Sequence, residues 1–370
     1  MMRCCFITLG CRVNQYESDA MAELLTQAGF EITENPAEAD VCIVNTCTVT
    51  NIADRKSRQM LSKAHKLNPN AKLIAAGCFA QRSPEAAAKL EGVYAVLGSA
   101  DKNRVVELVK SIAEGRENEP KGEKCNCGEK ELCDCCGSMK KNEQPENSEY
   151  SGNKSGGAKI LVRDVMREHE FEEMSAVHEG RTRAYLKIQD GCNMFCTYCA
   201  IPYARGGLRS RSLESVRAEA EKLNNEGFSE VVLTGIHLMS YGRDLRNGTD
   251  IRDAVRCFDG LDNIKRIRFG SLEPHMMTDE IIAELADNKR ICRQFHLSLQ
   301  SGSDTVLERM RRGYTSEQYF ELCQKLRGAF DAAKGVGKLL RRDAGGAGGT
   351  GDDLAAGGER LHRFFKTRPV

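Results

Sequence analysis

Along the first hundred residues, one pattern of apolar and polar positions occurs three times. A short apolar run ends in a cysteine at residues 5–11 (Cys-Phe-Ile-Thr-Leu-Gly-Cys), 41–47 (Val-Cys-Ile-Val-Asn-Thr-Cys) and 72–78 (Lys-Leu-Ile-Ala-Ala-Gly-Cys). Between these runs the apolar spacing turns helical, over 17–28 before Gly29 and over 53–67 before Asn68 and Pro69. Strand–helix alternation of this kind predicts a parallel sheet with helices on its faces, and such sheets bind ligands at the carboxyl ends of their strands. The terminal cysteines Cys11, Cys47 and Cys78 are 36 and 31 residues apart, about one strand–helix unit each. They are expected to converge at one sheet edge. Three small buried residues packed at strand ends is the plainer alternative.

The alternation returns from about residue 159. Residues 183–189 read as a strand running into Asp190, Gly191 and Cys192, followed by a helix over 212–226, a strand over 230–234, a helix over 251–258 and a strand over 264–269. A helix over 279–287, a strand over 294–299 and helices over 303–310 and 316–326 complete the series. Four strand–helix units in succession predict a barrel or part of one, with its chemistry at the strand ends. Between the two series, residues 116–158 are rich in Glu, Lys, Asn, Gly and Ser and read as a flexible insertion that cannot bury a core. Residues 329–370 form a Gly/Ala/Arg-rich tail. Its stretch 335–370 holds 9 Gly, no Ile and two Val, too few β-branched residues for a buried parallel strand.

Composition narrows the partners. The 370 residues carry 54 Lys and Arg against 53 Asp and Glu, a net charge of +1, so any nucleic-acid surface must be a local patch. No run approaches the roughly 18 apolar residues of a membrane span, and the N-terminus lacks a signal-peptide layout, so a cytoplasmic protein without a membrane partner is expected. Seventeen cysteines then point to metal or catalysis, because the cytosol keeps thiols reduced. Five of them (Cys125, Cys127, Cys133, Cys135 and Cys136) lie in the insertion. Their spacing fits no defined ligand pattern, and a soft-metal clip and an exposed redox-labile segment both stand. Cys4, Cys5, Cys42, Cys257, Cys292 and Cys323 read as ordinary thiols.

The sharpest chemical signal is Cys192, Cys196 and Cys199, spaced C-x₃-C-x₂-C. Three thiolates on one tight loop can hold three irons of a [4Fe–4S] cube and leave the fourth open to a small molecule, where a cluster for electron storage would take four cysteines. Zinc is the alternative, but it favours closed four-coordinate sites and no fourth ligand lies nearby in sequence.

This spacing after the first strand of a βα barrel resembles the signature of radical S-adenosylmethionine (SAM) enzymes. Several further motifs, in order, resemble the methylthiotransferases among them: residues 8–18 (Thr-Leu-Gly-Cys-Arg-Val-Asn-Gln-Tyr-Glu-Ser), 45–50, 77–81, 189–193, 203–206 (Tyr-Ala-Arg-Gly), 270–274 (Gly-Ser-Leu-Glu-Pro) and 299–302. Residues 8–18 and 54–57 look most like the branch that acts on N6-threonylcarbamoyladenosine at position 37 of tRNA. The branch acting on isopentenyladenosine is the near alternative. The resemblance covers residues 3–115 and 159–328. It implies an α/β fold: a Rossmann-like parallel-sheet domain (1–115), a Cys-containing linker (116–158) and an incomplete radical SAM (βα) partial barrel (159–328).

The resemblance further implies two [4Fe–4S] clusters, one on Cys11, Cys47 and Cys78 and one on Cys192, Cys196 and Cys199, the latter binding SAM. One SAM would methylate sulfur at the first cluster. A second would be cleaved reductively to a radical that takes hydrogen from adenine C2, where the methylthio group is delivered. The reaction would need an external electron donor and a source of sulfur. Tyr198, Gly235, Ser271, Glu273, Ser298 and Gln300 are the candidate SAM contacts, each with ordinary packing as its alternative. Arg55, Lys56, Arg58, Lys63 and Lys66 on one helix, and Arg205, Arg209 and Arg211 in one loop, are candidates for tRNA phosphates. His65, His237, His275 and His296 read as structural. The family pattern continues with another barrel strand, a Gly-Phe-Pro-Gly-Glu-Thr loop and a C-terminal RNA-binding domain. This sequence departs from it near Gly328, which leads us to expect a frameshift or truncation and leaves a non-catalytic iron–sulfur or RNA-binding remnant as a different class of reading.

Overall fold

The computed structural model describes residues 1–115, 157–176 and 182–331. The five insertion cysteines and residues 332–370 of the tail lie outside the described residues.

The first half is a sheet of six parallel strands: β1 (Arg3–Thr8), β2 (Glu31–Ile32), β3 (Val41–Thr46), β4 (Lys72–Gly77), β5 (Val93–Leu97) and β6 (Lys159–Leu161), in the order β2-β1-β3-β4-β5-β6. Helices α1 (Arg12–Gln27), α2 (Asn51–Leu67), α3 (Cys78–Arg82), α4 (Pro84–Ala88) and α5 (Val105–Ala113) make the crossovers. The central strands are apolar on both sides, as a sheet covered on two faces requires. Cys5, Cys42, Val44, Leu73 and Ala75 pack on one face with Leu61 of α2. Cys4, Ile43, Ile74 and Leu97 pack on the other with Met21 of α1 and Leu108 of α5.

Two boundaries differ from the sequence expectation. Helix α1 starts at Arg12 rather than residue 17, because its polar first turn is not solvated: Asn14 is buried and donates to the carbonyls of Leu9 and Thr46 at 2.8 and 2.9 Å. Residues 159–161, read as the start of the second series, instead form the outer strand β6 of the first sheet, paired with β5.

In the second half, β7 (Ala184–Lys187), β8 (Gln189–Asp190), α6 (Ile201–Arg205), β9 (Arg209–Ser210), α7 (Leu213–Asn225) and β10 (Glu230–Thr234) are followed by α8 (Ile251–Arg256), β11 (Arg266–Phe269), β12 (Ser271–Leu272), α9 (Asp279–Asp287), β13 (His296–Leu297), α10 (Asp304–Arg309) and α11 (Ser316–Asp331). Strands β7, β10 and β11 pair in parallel, and so do β12 and β13, the partial-barrel order that strand–helix units produce. The strand pair β8–β9 is antiparallel and brackets the Cys192–Cys199 loop and α6. Leu186, Val231, Leu233, Ile267 and Leu272 form this half's core with Val216, Leu223 and Ile282 from the helices. Among the described residues no helix is long and apolar enough to cross a membrane.

The halves meet along α1, α3 and α6. Tyr16 donates to the Met174 carbonyl at 2.5 Å, Gln81 to the Arg163 carbonyl at 2.7 Å, and Ser99 to the Ala204 carbonyl at 2.5 Å. Ile43 sits fully buried on the middle strand of the first sheet. Ile43→Ala should therefore cost about 2–5 kcal/mol, read as a lower denaturant midpoint for loss of helical circular dichroism; an unchanged midpoint would mean that the first sheet is not a packed core.

Candidate functional site

Strands β1, β3 and β4 are neighbours in the sheet, and each runs out at its carboxyl end into one cysteine: Cys11 after Gly10, Cys47 directly after β3, and Cys78 directly after β4. Topology alone therefore brings the three sulfurs to one edge. Cys11 and Cys47 each lie within electrostatic reach of Cys78 and of Arg205. Burial pushes the Cys47 thiol up. Desolvation likewise pushes up the Cys11 thiol, at the N-terminus of the sixteen-residue α1, with Arg205 and Asn14 pulling the other way. Gly10, at φ +99°, leaves a gap beside this triad: a Cβ there would stand 2.7 Å from Cys47 Sγ.

The second triad follows β8. Asp190 turns the chain by accepting from the Gly191 amide at 2.8 Å, and Gly191, at φ +69°, lies where a Cβ would come within 1.7 Å of the Gly207 carbonyl oxygen. Only glycine allows that close approach. Cys192, Cys196 and Cys199 are electrostatic neighbours, and burial pushes the Cys192 thiol up to about 11. Among the described residues no three His, Cys, Asp or Glu side chains close around a single ion.

Sequence reading missed Arg312. Its Nη1 lies 3.3 Å from Cys196 Sγ, its other terminal nitrogen pairs with Glu273, and its guanidinium lies 5.4 Å from the Tyr314 ring centroid. Glu273 also faces His237 Nε2 at 3.9 Å and His275 Nδ1 at 3.6 Å. His237, read as structural, is part of this pocket: Ser240 holds its Nδ1 at 2.7 Å, while its Nε2 is buried with no hydrogen-bond partner, as is Arg312 Nε. Burial holds the His237 imidazole below its ordinary pKa, so it is neutral near pH 7.

Of the six candidate SAM contacts, Glu273 and Tyr198 gather at the second triad, Tyr198 sensing Cys196, Cys199, Arg312 and Glu273. Ser271 lies on β12, paired with His296 on β13. Ser298 and Gln300 follow β13, where Tyr314 donates to the Ser298 carbonyl at 2.5 Å and the Leu299 carbonyl at 2.8 Å, and Gln300 takes the left-handed φ of +62°. Gly235 follows β10 against Gln189, whose side chain would lie 2.8 Å from any Cβ there.

A buried ionic centre touches the first triad through Arg205 and includes Asp190, two residues before Cys192. Glu17 of α1 binds Arg205 Nη1 at 2.5 Å, Lys187 at 2.8 Å and Lys102 at 3.1 Å. Asp190 binds Lys187 at 2.6 Å, Arg205 at 3.3 Å and Arg209 at 3.8 Å. Two carboxylates thus face four cations, with Glu172 the next acid within reach. Burial alone would raise the Glu17 carboxyl, but Arg205, Lys102 and Lys187 hold it down to about 2, and Lys187 and Arg205 hold Asp190 well below the usual carboxylate range.

The loop arginines are a correction. Arg205, Arg209 and Arg211, expected to meet phosphates, are 0%, 4% and 4% exposed. Arg211 pairs instead with Glu173 at 2.9 Å and Glu219 at 3.5 Å. A run of arginines in a loop looks solvated in sequence, but acids 8 to 188 residues away claim these side chains. Arg55, Lys56, Arg58, Lys63 and Lys66 of α2 are all exposed.

Comparison with known proteins fits this geometry. The uncharacterized protein family UPF0004 matches residues 3–98, and the radical SAM superfamily matches residues 186–337. The chain is 37% identical over 325 residues to the threonylcarbamoyladenosine tRNA methylthiotransferase MtaB of Bacillus subtilis, covering 88% of this chain and 63% of that protein. It is 36% identical to MtaB of Aquifex aeolicus (87% and 68% covered) and 32% identical to the tRNA-2-methylthio-N(6)-dimethylallyladenosine synthase of Moorella thermoacetica (87% and 64%). The chain belongs to the radical SAM methylthiotransferase family. It spans a little under two thirds of the length of the Bacillus relative. Among solved structures, the radical SAM methyltransferase TsrM of Kitasatospora setae, with cobalamin and a [4Fe–4S] cluster bound, shares the fold at TM-score 0.56 and 17% identity, over 89% of this chain and 68% of that one.

The buried carboxylates set an acid limit on stability. Glu17 moves from an ordinary 4.5 to about 2 on folding, so its contribution is present in full above about pH 5 and is lost as pH falls. The melting temperature should hold on the neutral side of that value and drop between roughly pH 4.5 and 2; a melting temperature that rises on acidification would contradict the charged network.

Proposed function

We propose that this chain is the catalytic core of an enzyme that methylthiolates C2 of N6-threonylcarbamoyladenosine at position 37 of tRNA. The observation that carries the reading is the pair of cysteine triads, one from each half, with Arg205 of the second half bonded to Cys78 of the first. Cys11, Cys47 and Cys78 would hold one [4Fe–4S] cluster, and Cys192, Cys196 and Cys199 the other, with SAM beside it. The residues suit these groups. Gly10 leaves room beside Cys47 that any Cβ would fill, and four buried cations against two carboxylates leave positive charge for anionic thiolate clusters to neutralise. The unpartnered His237 Nε2 and Arg312 Nε lie where a polar ligand would satisfy them. When bound, the clusters and SAM supply radical formation and the sulfur for transfer.

The chain's own part is to bind, orient and exclude water. Glu273, held by Arg312, offers a carboxylate to an ammonium group of SAM, and Tyr198 a ring face to its adenine. Gly235 lets the backbone approach closely, and Ser271, Ser298 and Gln300 present polar groups from the strand ends. The exposed cations of α2, which begins four residues after Cys47, would meet phosphates of the anticodon arm. An external electron donor and a sulfur donor complete the reaction. We take the cluster-binding domain to include β6, so that the insertion falls between α5 and β6 and the barrel begins after them, in keeping with the radical SAM match from residue 186.

A second reading, isopentenyladenosine as substrate, has the Moorella relative in its favour. Expression in a host stripped of its own methylthiotransferases, followed by mass spectrometry of tRNA nucleosides, separates the two. The expected product is 2-methylthio-N6-threonylcarbamoyladenosine. Methylthio-isopentenyladenosine in its place would favour the second reading, and neither product from cluster-loaded protein would overturn both for this chain.

A further inference from the structure

Arg205 does more than pair charges. Its side chain is fully buried, and every nitrogen has a partner: Nη1 on Glu17 at 2.5 Å and Asp190 at 3.3 Å, Nη2 on Glu17 at 3.0 Å and Asn14 at 2.6 Å, and Nε on Cys78 Sγ at 3.2 Å. Four contacts to Glu17, Asp190 and Asn14 fix the guanidinium plane, so the fifth, to sulfur, is aimed rather than incidental. The donor belongs to α6 in the second half, and the acceptor begins α3 in the first. Among the described residues, none of the other three cations on Glu17 or Asp190 bonds to a sulfur.

Resting on the reading that Cys11, Cys47 and Cys78 hold an iron–sulfur cluster, we infer that Arg205 is a positioning residue of that cluster, reaching from the barrel to fix Cys78 and raise the cluster's reduction potential. Hydrogen bonds to cluster sulfurs and nearby positive charge stabilise the reduced form, and both converge on this one thiolate. The N-terminal site is then incomplete without the barrel. Separation of the halves would leave Cys78 without its donor.

The test uses the full chain with Cys192, Cys196 and Cys199 replaced by Ala, so that only the N-terminal cluster reports, and follows its reduction by EPR during a redox titration. Arg205→Lys keeps the charge on Glu17 but cannot serve all five acceptors at once; Arg205→Gln removes the charge as well. Both should shift the midpoint potential to more negative values, Gln further than Lys. Lys102→Gln is the control, because Lys102 binds the same Glu17 and the Ser99 carbonyl and its recorded bonds include no sulfur. It should shift the potential less than either Arg205 variant. An Arg205→Lys potential equal to the parent's, or a Lys102→Gln shift as large as that of Arg205→Gln, would overturn the inference. Where Arg205→Gln fails to retain iron, the charge-conserving Lys variant still decides. A parent that binds no iron at all would instead overturn the N-terminal cluster itself, before any Arg205 variant is measured.

Discussion

Glu17 and Arg205 lie 188 residues apart in sequence and meet with no solvent exposure. A buried ion pair is costly to desolvate and is tolerated only when its remaining hydrogen-bonding capacity is filled. Here Lys187, Lys102, Asn14 and Asp190 fill it. Removing one partner of such a pair typically costs about 3–5 kcal/mol, so the network does little for generic cohesion but fixes one orientation of the halves. That orientation decides whether the strand ends of the sheet and the loop after β8 face each other. Both cysteine triads depend on it: Asp190 is two residues from Cys192, and Arg205 bonds to Cys78.

The arrangement is built from ordinary α/β parts. Parallel strands deliver chain ends to one edge, and each turn that follows is shaped by a residue able to adopt it, Gly10 before the first triad and Gly191 before the second. What separates this chain from a generic doubly wound sheet is the polarity buried at the seam. Asn14, Glu17, Lys102, Lys187, Asp190 and Arg205 sit where an apolar interface would suffice for packing alone. Polar groups are retained there because they orient: Asn14 ties α1 to the ends of β1 and β3, and Glu17 ties the same helix to the barrel.

The triads and most elements were legible because both are local. Cys192, Cys196 and Cys199 share one loop, and the first three cysteines share one phrase, so spacing identified each set and strand–helix alternation supplied the sheet. The ionic centre was not legible, because its members come from α1, the turn before α5, β7, β8 and α6. Arg205, Arg209 and Arg211 looked like a phosphate-binding loop for the same reason: arginine is usually solvated, and of the acids that claim them, Glu17, Asp190, Glu173 and Glu219, only the last lies close in sequence. Arg312 escaped notice and His237 read as structural, since their contacts with Glu273 join the loop after β10, the end of β12 and the turn after α10. The signal was present only weakly, as Glu17 and Asn14 interrupting an amphipathic helix on its buried side.

The account stands or falls on two iron centres held on opposite sides of that seam. Anomalous diffraction at the iron edge from crystals of the anaerobically reconstituted full chain tests this most directly. Two separate iron sites are predicted, one enclosed by Cys11, Cys47 and Cys78 and one by Cys192, Cys196 and Cys199, with Arg205 between them. A single site, or iron held by other cysteines, would contradict it.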